Sequence, residues 1–209
     1  MTLPRADLLT AALFVGGLAC LLVLACGCAS VPNVRVVMGD AHCGALALSP
    51  TTVLTSAHCA AVRTITSDEA DCDGQRVRVT GWSVHPGYTG EADHDLAVAR
   101  LAAPLACYRQ AHVEWAEVGD PIVFHGALGV VEEADGQSLV FDVDPQRVCL
   151  GDSGRPIFDG WGNAVGLVSR WWGGMRGCTY LARATALAAN RGWIEEQLAP
   201  PRERPRGAR

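Results

Sequence analysis

The sequence predicts an all-β fold, and three observations carry that expectation. Glycine and valine are abundant. The strand-like stretches are short and are separated by glycine, proline and aspartate turns. Long amphipathic patterns are few, and the clearest lies at the end of the folded part, over residues 185–198. The 209 residues suffice for one domain, or for two small barrels sharing a core. A formal charge of −5 argues against a general nucleic-acid binder.

The first element is apolar. Residues 8–25 follow a short start carrying Arg5 and read as an export signal or membrane anchor, outside the fold. At roughly 18 residues the run is long enough to span a bilayer if it is not cut. It ends in Val23-Leu24-Ala25-Cys26, which resembles the lipobox of bacterial lipoproteins and marks Cys26 as a lipidation candidate, although Leu24 departs from the usual pattern. Cleavage near Ala29 and an uncut anchor are the alternatives. All three place the remainder outside the cytoplasm, and the expectation is an exported protein, secreted or held at a bacterial cell envelope. Residues 1–28 are therefore set apart from a domain over 29–198.

Cysteine usage agrees with export. Of nine cysteines, Cys20, Cys26 and Cys28 lie near the apolar run. The other six, Cys43, Cys59, Cys72, Cys107, Cys149 and Cys178, read as three disulfides among 15 formal pairings.

The strands follow in order. Val34–Met38, Cys43–Leu48 and Thr51–Thr55 come first, and the last runs into Ser56-Ala57-His58-Cys59. Two alternating stretches, around Val62–Thr66 and Arg76–Thr80, flank an acidic loop over residues 68–73. The turn His85-Pro86-Gly87-Tyr88 precedes Asp93-His94-Asp95, where Asp95 heads an apolar strand. Residues 102–115 form a connector. Strands are expected at Pro121–Gly126, Ala127–Val131 and Ser138–Val143, then a hairpin over 156–169 turning at Asp159–Gly162. A helix over 185–198 closes the domain. The tail, 199–209, is basic and proline-rich and reads as disordered.

One stretch organises the rest: Cys149-Leu150-Gly151-Asp152-Ser153-Gly154-Arg155-Pro156. Its glycines permit a tight turn that exposes the Ser153 hydroxyl and aims the Gly151 and Ser153 amides at one point. A serine nucleophile needs a base and a group to orient that base, and His58 and Asp95 are the upstream candidates.

Thr55-Ser56-Ala57-His58-Cys59, His94-Asp95-Leu96 and Gly151-Asp152-Ser153-Gly154, in that order, resemble the chymotrypsin/trypsin-type serine peptidases over about residues 43–198. The resemblance implies two six-stranded antiparallel β-barrels, about 34–110 and 111–184, with a C-terminal helix. It implies an endopeptidase with Ser153 as nucleophile, His58 as general base and acid, Asp95 orienting His58, and the Gly151 and Ser153 amides as oxyanion hole. It places Ser169 beside the buried acid at the start of a substrate-binding strand. Arg147 falls near the floor of the primary pocket, and Trp171 or Trp172 either narrows that pocket or serves in packing. It pairs Cys43 with Cys59, Cys149 with Cys178, and leaves Cys72 for Cys107. The expected partner is a protein or peptide, the expected working unit a monomer, and no metal or organic cofactor is implied.

The sequence departs from the family pattern in three ways. Arg155 replaces a second glycine and is expected to crowd the cleft. Asp95 and Ser153 are close in sequence, so the second barrel has trimmed loops. Family zymogens are cut before an Ile-Val-Gly-Gly-like end whose new amine pairs with the acid before the nucleophile, here Asp152. Val36-Val37-Met38-Gly39 is only a faint echo of that end. Asp152 therefore needs another cation, with Arg147, Arg155 and Arg183 as candidates, and no activating cut is expected. The competing reading is an inactive pseudopeptidase that serves as a surface-anchored binding module.

Overall fold

The computed structural model describes residues 32–39, 41–61, 68–143, 147–171 and 178–199. The candidate lipid site Cys26, the stretch Val62–Thr66 and the basic tail, apart from Ala199, lie outside the described residues.

Six strands close the first barrel: β1 (Val34–Met38), β2 (Ala41–Ser49), β3 (Thr52–Thr55), β4 (Asp68–Cys72), β5 (Gln75–Val84) and β6 (Ala97–Leu101). Their order around it is β1-β2-β3-β6-β5-β4, and β1 pairs with both β2 and β4 to seal it. Strict alternation makes this possible: Val34, Val36 and Met38 point inward from β1 while Arg35 and Val37 stand on the other face. Val53, Ala70, Val77, Ala99 and Leu101 complete that interior. The acidic stretch expected to be a loop is strand β4, and its acids have partners. Asp68 Oδ2 accepts from Trp82 Nε1 at 2.8 Å, and Arg76 faces Glu69 and Asp71 from the neighbouring strand. Barrel closure wins over local charge because each acid finds a donor at the surface or edge.

The second barrel uses β7 (Pro121–Phe124), β8 (Ala127–Ala134), β9 (Ser138–Asp142), β11 (Pro156–Asp159), β12 (Ala164–Trp171) and β14 (Leu181–Ala186), ordered β11-β12-β14-β9-β8-β7. The short strands β10 (Val148–Cys149) and β13 (Cys178–Thr179) pair beside it. A short helix, α1 (Ala57–Ala61), follows β3, and α2 (Arg191–Leu198) ends the domain after a 3₁₀ turn at Ala188–Asn190. The fold is therefore the expected all-β pair of six-stranded barrels with a C-terminal helix. The helix starts later than its pattern predicts. Thr185 and Ala186 extend β14 and pair with Ser138 of β9 and with Gly166 and Leu167 of β12. Small alanines read equally well in either period, so tertiary pairing decides.

The barrels meet on an apolar seam. Leu46, Leu54, Leu96 and Val98 of the first pack with Phe158, Ala164 and Leu167 of the second, and Leu187 and Ile194 cover one side. Each fully buried large side chain there contributes roughly 1.5–3 kcal/mol. The seam fixes how the end of β3 faces the start of β11, and the site lies where those ends approach.

Candidate active site

His58 sits at the second position of α1, directly after β3. Ala57, Cys59 and Ala60 are buried, and Cys59 is bonded to Cys43 of β2, so the turn carrying His58 has little freedom. Asp95 precedes β6 and is 1% exposed. Its Oδ1 accepts the His58 amide at 2.9 Å. Its Oδ2 accepts His58 Nδ1 at 2.6 Å and the Ser169 hydroxyl at 2.5 Å. The buried carboxylate is satisfied by three donors, as such a group requires. Because the ionised carboxylate only accepts, Nδ1 carries the proton and Nε2 is left as the basic nitrogen. The ring side chain is 34% exposed. Tyr88, from the turn before Asp95, has its phenol pushed up by burial first and then by the Asp95 charge.

The Ser153 turn is bound to both barrels. Gly44 N donates to Ser153 O at 2.7 Å, and Gly154 N donates to Val168 O at 2.7 Å. Ser56 Oγ reaches the same Val168 carbonyl at 2.8 Å. Gly154 has φ +76°, and a Cβ there would run into the Thr55 hydroxyl and the Gly44 carbonyl, so only glycine fits. These bonds hold Ser153 against the segment that carries His58. Asp152 N closes the turn onto Cys149 O at 3.1 Å. Among the described residues, the amides on either side of it, Gly151 and Ser153, donate to no group of the chain. Two unsatisfied N–H groups two residues apart are what an oxyanion needs. His42 covers Gly151: its Nε2 lies 3.2 Å from where a Cβ on that glycine would be.

The three disulfides join Cys43 to Cys59, Cys72 to Cys107, and Cys149 to Cys178. The last ties the nucleophile turn to β13.

Asp152 has a cation, Arg155, and an imidazole partner, His125. Its Oδ1 faces His125 Nε2 at 3.0 Å and Arg155 Nε at 3.2 Å, and its Oδ2 accepts the Cys149 amide at 2.8 Å. Burial pushes its carboxyl up, but the His125 hydrogen bond, the Cys149 amide and the charges of His125 and Arg155 together hold it below the usual range. Of the three arginines anticipated, Arg155 is the one found on Asp152. Its side chain turns inward and does not crowd the cleft, and its second nitrogen donates to Asn33 Oδ1 at 3.0 Å. Arg147 instead lies over the Tyr180 ring, 5.0 Å from its centroid, and donates to the Tyr180 hydroxyl at 3.0 and 3.2 Å. Sequence reasoning missed His125. The only local signal was its place before Gly126, between two strands.

Ser169 lies under Asp95, and the backbone of Trp171 pairs with Ala182 at the end of β12. Among the described residues, no group of three or more His, Cys, Asp or Glu side chains is placed to hold a metal ion.

The fold and these residues define a class: a two-barrel, chymotrypsin-like chain with a His–Asp pair in the first barrel and a serine turn in the second that is bonded to the first. Comparison with known proteins gives the particulars. A family model described as Trypsin matches residues 29–126. A trypsin of Simulium vittatum is 35% identical over 127 residues, covering 56% of this chain and 49% of that protein. The chain thus spans about half the length of the curated relative it matches. Kallikrein-related peptidase 10 in complex with Zn2+ superposes with a TM-score of 0.66 at 23% identity, over 81% of this chain and 96% of that one. Neuropsin, a serine protease expressed in the limbic system of mouse brain, superposes with a TM-score of 0.66 at 19% identity, also over 81% and 96%. At these identities the solved structures establish the fold. The relatives are insect and mammalian proteins, which corrects two expectations: a bacterial form, and a lipid- or membrane-anchored place in a bacterial envelope.

Proposed function

We propose that the chain is a serine endopeptidase. The observation that carries this reading is the convergence on Asp95 of His58 and Ser169, beside a serine turn with two undonated amides. In the proposed mechanism the Ser153 Oγ attacks the carbonyl carbon of the scissile peptide, and His58 Nε2 takes the hydroxyl proton. The carbonyl oxygen, now an anion, is met by the Gly151 and Ser153 amides. Asp95 keeps Nδ1 protonated and stabilises the imidazolium. The imidazolium gives its proton to the leaving amine, and an acyl-enzyme forms. Water, deprotonated by His58, then releases the acid.

Substrate selection is part of the same proposal. Arg147 stands immediately before β10, four residues from Gly151 (151 − 147), held on Tyr180. We read Arg147, Ser169 and Trp171 as lining the substrate site, with Arg147 disfavouring cleavage after Lys or Arg by like-charge repulsion. The site is complete within one chain, so the working unit is a monomer. Residues 8–25 are read as an export segment that delivers the domain to the oxidising compartment its disulfides require. Left uncut, that segment would keep the chain at a membrane, and the mass of the isolated protein decides between the two states. Among the described residues, no helix is long and apolar enough to cross a membrane.

The test is reaction with a fluorophosphonate and location of the label by peptide mass. Labelling at Ser153 that Ser153→Ala abolishes supports the peptidase. A folded sample that stays unlabelled favours the binding module.

A further inference from the structure

The nucleophile turn is pinned in several places, one of them Gly44 N on Ser153 O. Cys149 is held by Cys178, and Gly154 N by Val168 O. Another pin is the Asp152 carboxylate, held by non-covalent side-chain contacts: His125 and Arg155 on Oδ1, with the Cys149 amide on Oδ2. The carboxylate is only 12% exposed, and a charge so placed is costly unless paired.

Both partners are placed with unusual care. His125 and Gly126 form the two-residue turn of the β7–β8 hairpin, with φ +53° and +79°. Such turns favour Asn-Gly or Asp-Gly, and a histidine at positive φ is strained. The strain is tolerated where the ring meets Phe124 edge-on at 4.5 Å and its Nε2 meets Asp152. Arg155 is fixed from three sides: its Cα packs against Gly44, where any Cβ would collide; its Nε faces Asp152; and its Nη1 donates to Asn33. Burial and the nearby Arg35 both work against the Arg155 charge, so Asp152 is what keeps it there.

No chain end can replace this pair by a cut at Val36. That residue is buried at the centre of β1, bonded to β2 and β4 on either side, and an end there would open the first barrel. We propose that His125 and Arg155 are positioning residues that stay paired with Asp152, Arg155 as its counter-charge and His125 as its hydrogen-bond partner, and hold the Gly151 and Ser153 amides in donor geometry without any activating cleavage. This rests on the peptidase reading above. It adds where the turn gets its order: from the β7–β8 hairpin and from Asn33, the residue before β1.

The test uses the protein as isolated, with its N-terminus read by mass. The variants are His125→Phe and Arg155→Met, with His125→Gln and Arg155→Lys as conservative partners. Two readouts are taken: fluorophosphonate labelling with peptide turnover, and hydrogen exchange of the amides over residues 149–153. The expected result is labelling of the wild type with β1 uncut. His125→Phe and Arg155→Met should lower kcat on the order of 10- to 100-fold, less than or near the loss of one oxyanion donor, with KM little changed. Both should speed exchange at 149–153 while β3 and β6 keep their protection. Glutamine retains a donor near the Nε2 position and should restore much of the loss. Lysine, lacking the fork that serves Asp152 and Asn33 together, should restore less. Normal labelling and exchange in His125→Phe and Arg155→Met would overturn the inference and leave the peptidase reading standing. An unreactive wild type whose variants still exchange faster would overturn the peptidase reading and keep the pin. An unreactive wild type with unchanged exchange would sink both, and activity appearing only after a cut upstream of Cys43 would overturn the inference alone.

Discussion

The Ser169 hydroxyl donates to Asp95 Oδ2 at 2.5 Å across the boundary between the barrels, joining β12 of the second to the loop before β6 of the first. It is the side-chain bond that reaches from the second barrel to the His58–Asp95 pair. Ser169→Ala should leave the carboxylate one donor short and cost about 1.5–3 kcal/mol of stability. On the peptidase reading His58 would be less firmly oriented, so kcat should fall. The fall should be smaller than the roughly 10²–10⁴-fold that general acid–base catalysis supplies. Chemical denaturation and steady-state kinetics on one preparation check both.

Gly154→Ala is expected to be the more damaging change, although it adds one methyl. Positive φ alone costs about 1–3 kcal/mol for a residue with a Cβ. The added atom would also meet the Thr55 hydroxyl and the Gly44 carbonyl, and backbone yields poorly. The variant should melt several degrees lower by thermal scanning and react slowly, if at all, with a fluorophosphonate. An alanine variant that melts like the wild type would mean that the turn sits elsewhere.

His85 supplies a pH dependence of stability. Its imidazole lies below the ordinary value, through burial first and the neighbouring His94 second, and the two rings stack 4.6 Å apart. The unfolded chain takes up its proton near pH ~6.5, whereas the folded chain refuses it until lower pH. Stability from this group is therefore full above that value and declines as the pH falls toward the folded value. His85→Gln should flatten the curve of melting temperature against pH between about 5 and 7. A curve of unchanged slope would refute the assignment.

The Cys72–Cys107 bond closes a loop of 35 positions between β4 and the connector joining the barrels. Replacing both residues by alanine should cost about 3–4 kcal/mol by the loop-entropy relation. The loss should appear as a lower denaturation midpoint with Ser153 still reactive, since the bond lies away from the nucleophile turn. Loss of labelling in a folded variant would show that the first barrel needs this bond to hold His58.

The proposed triad is legible in the sequence because each member sits in a short, self-describing stretch: His58 behind β3, Asp95 before β6, Ser153 between glycines. What lies between stretches is not. His125 and Asp152 are 27 positions apart, and nothing in Phe124-His125-Gly126 says where the ring will point. Arg155 was visible as a departure, but its direction depends on Gly44 and Asn33, which only the closed fold brings near. The helix boundary was blurred for a different reason. Alanine and threonine from 184 to 186 satisfy strand and helix patterns alike until β9 and β12 claim them.

The division of the site between the barrels has one more consequence. His58 and Asp95 belong to the half of the chain synthesised first, and Ser153 and Ser169 to the half synthesised last. On the peptidase reading, a nascent chain with only its first barrel formed carries the proposed base and no nucleophile, and one that misassembles its second barrel holds Ser153 out of reach of His58. On that reading hydrolysis would begin only once the seam through Leu54, Leu96 and Phe158 has brought the two barrels together.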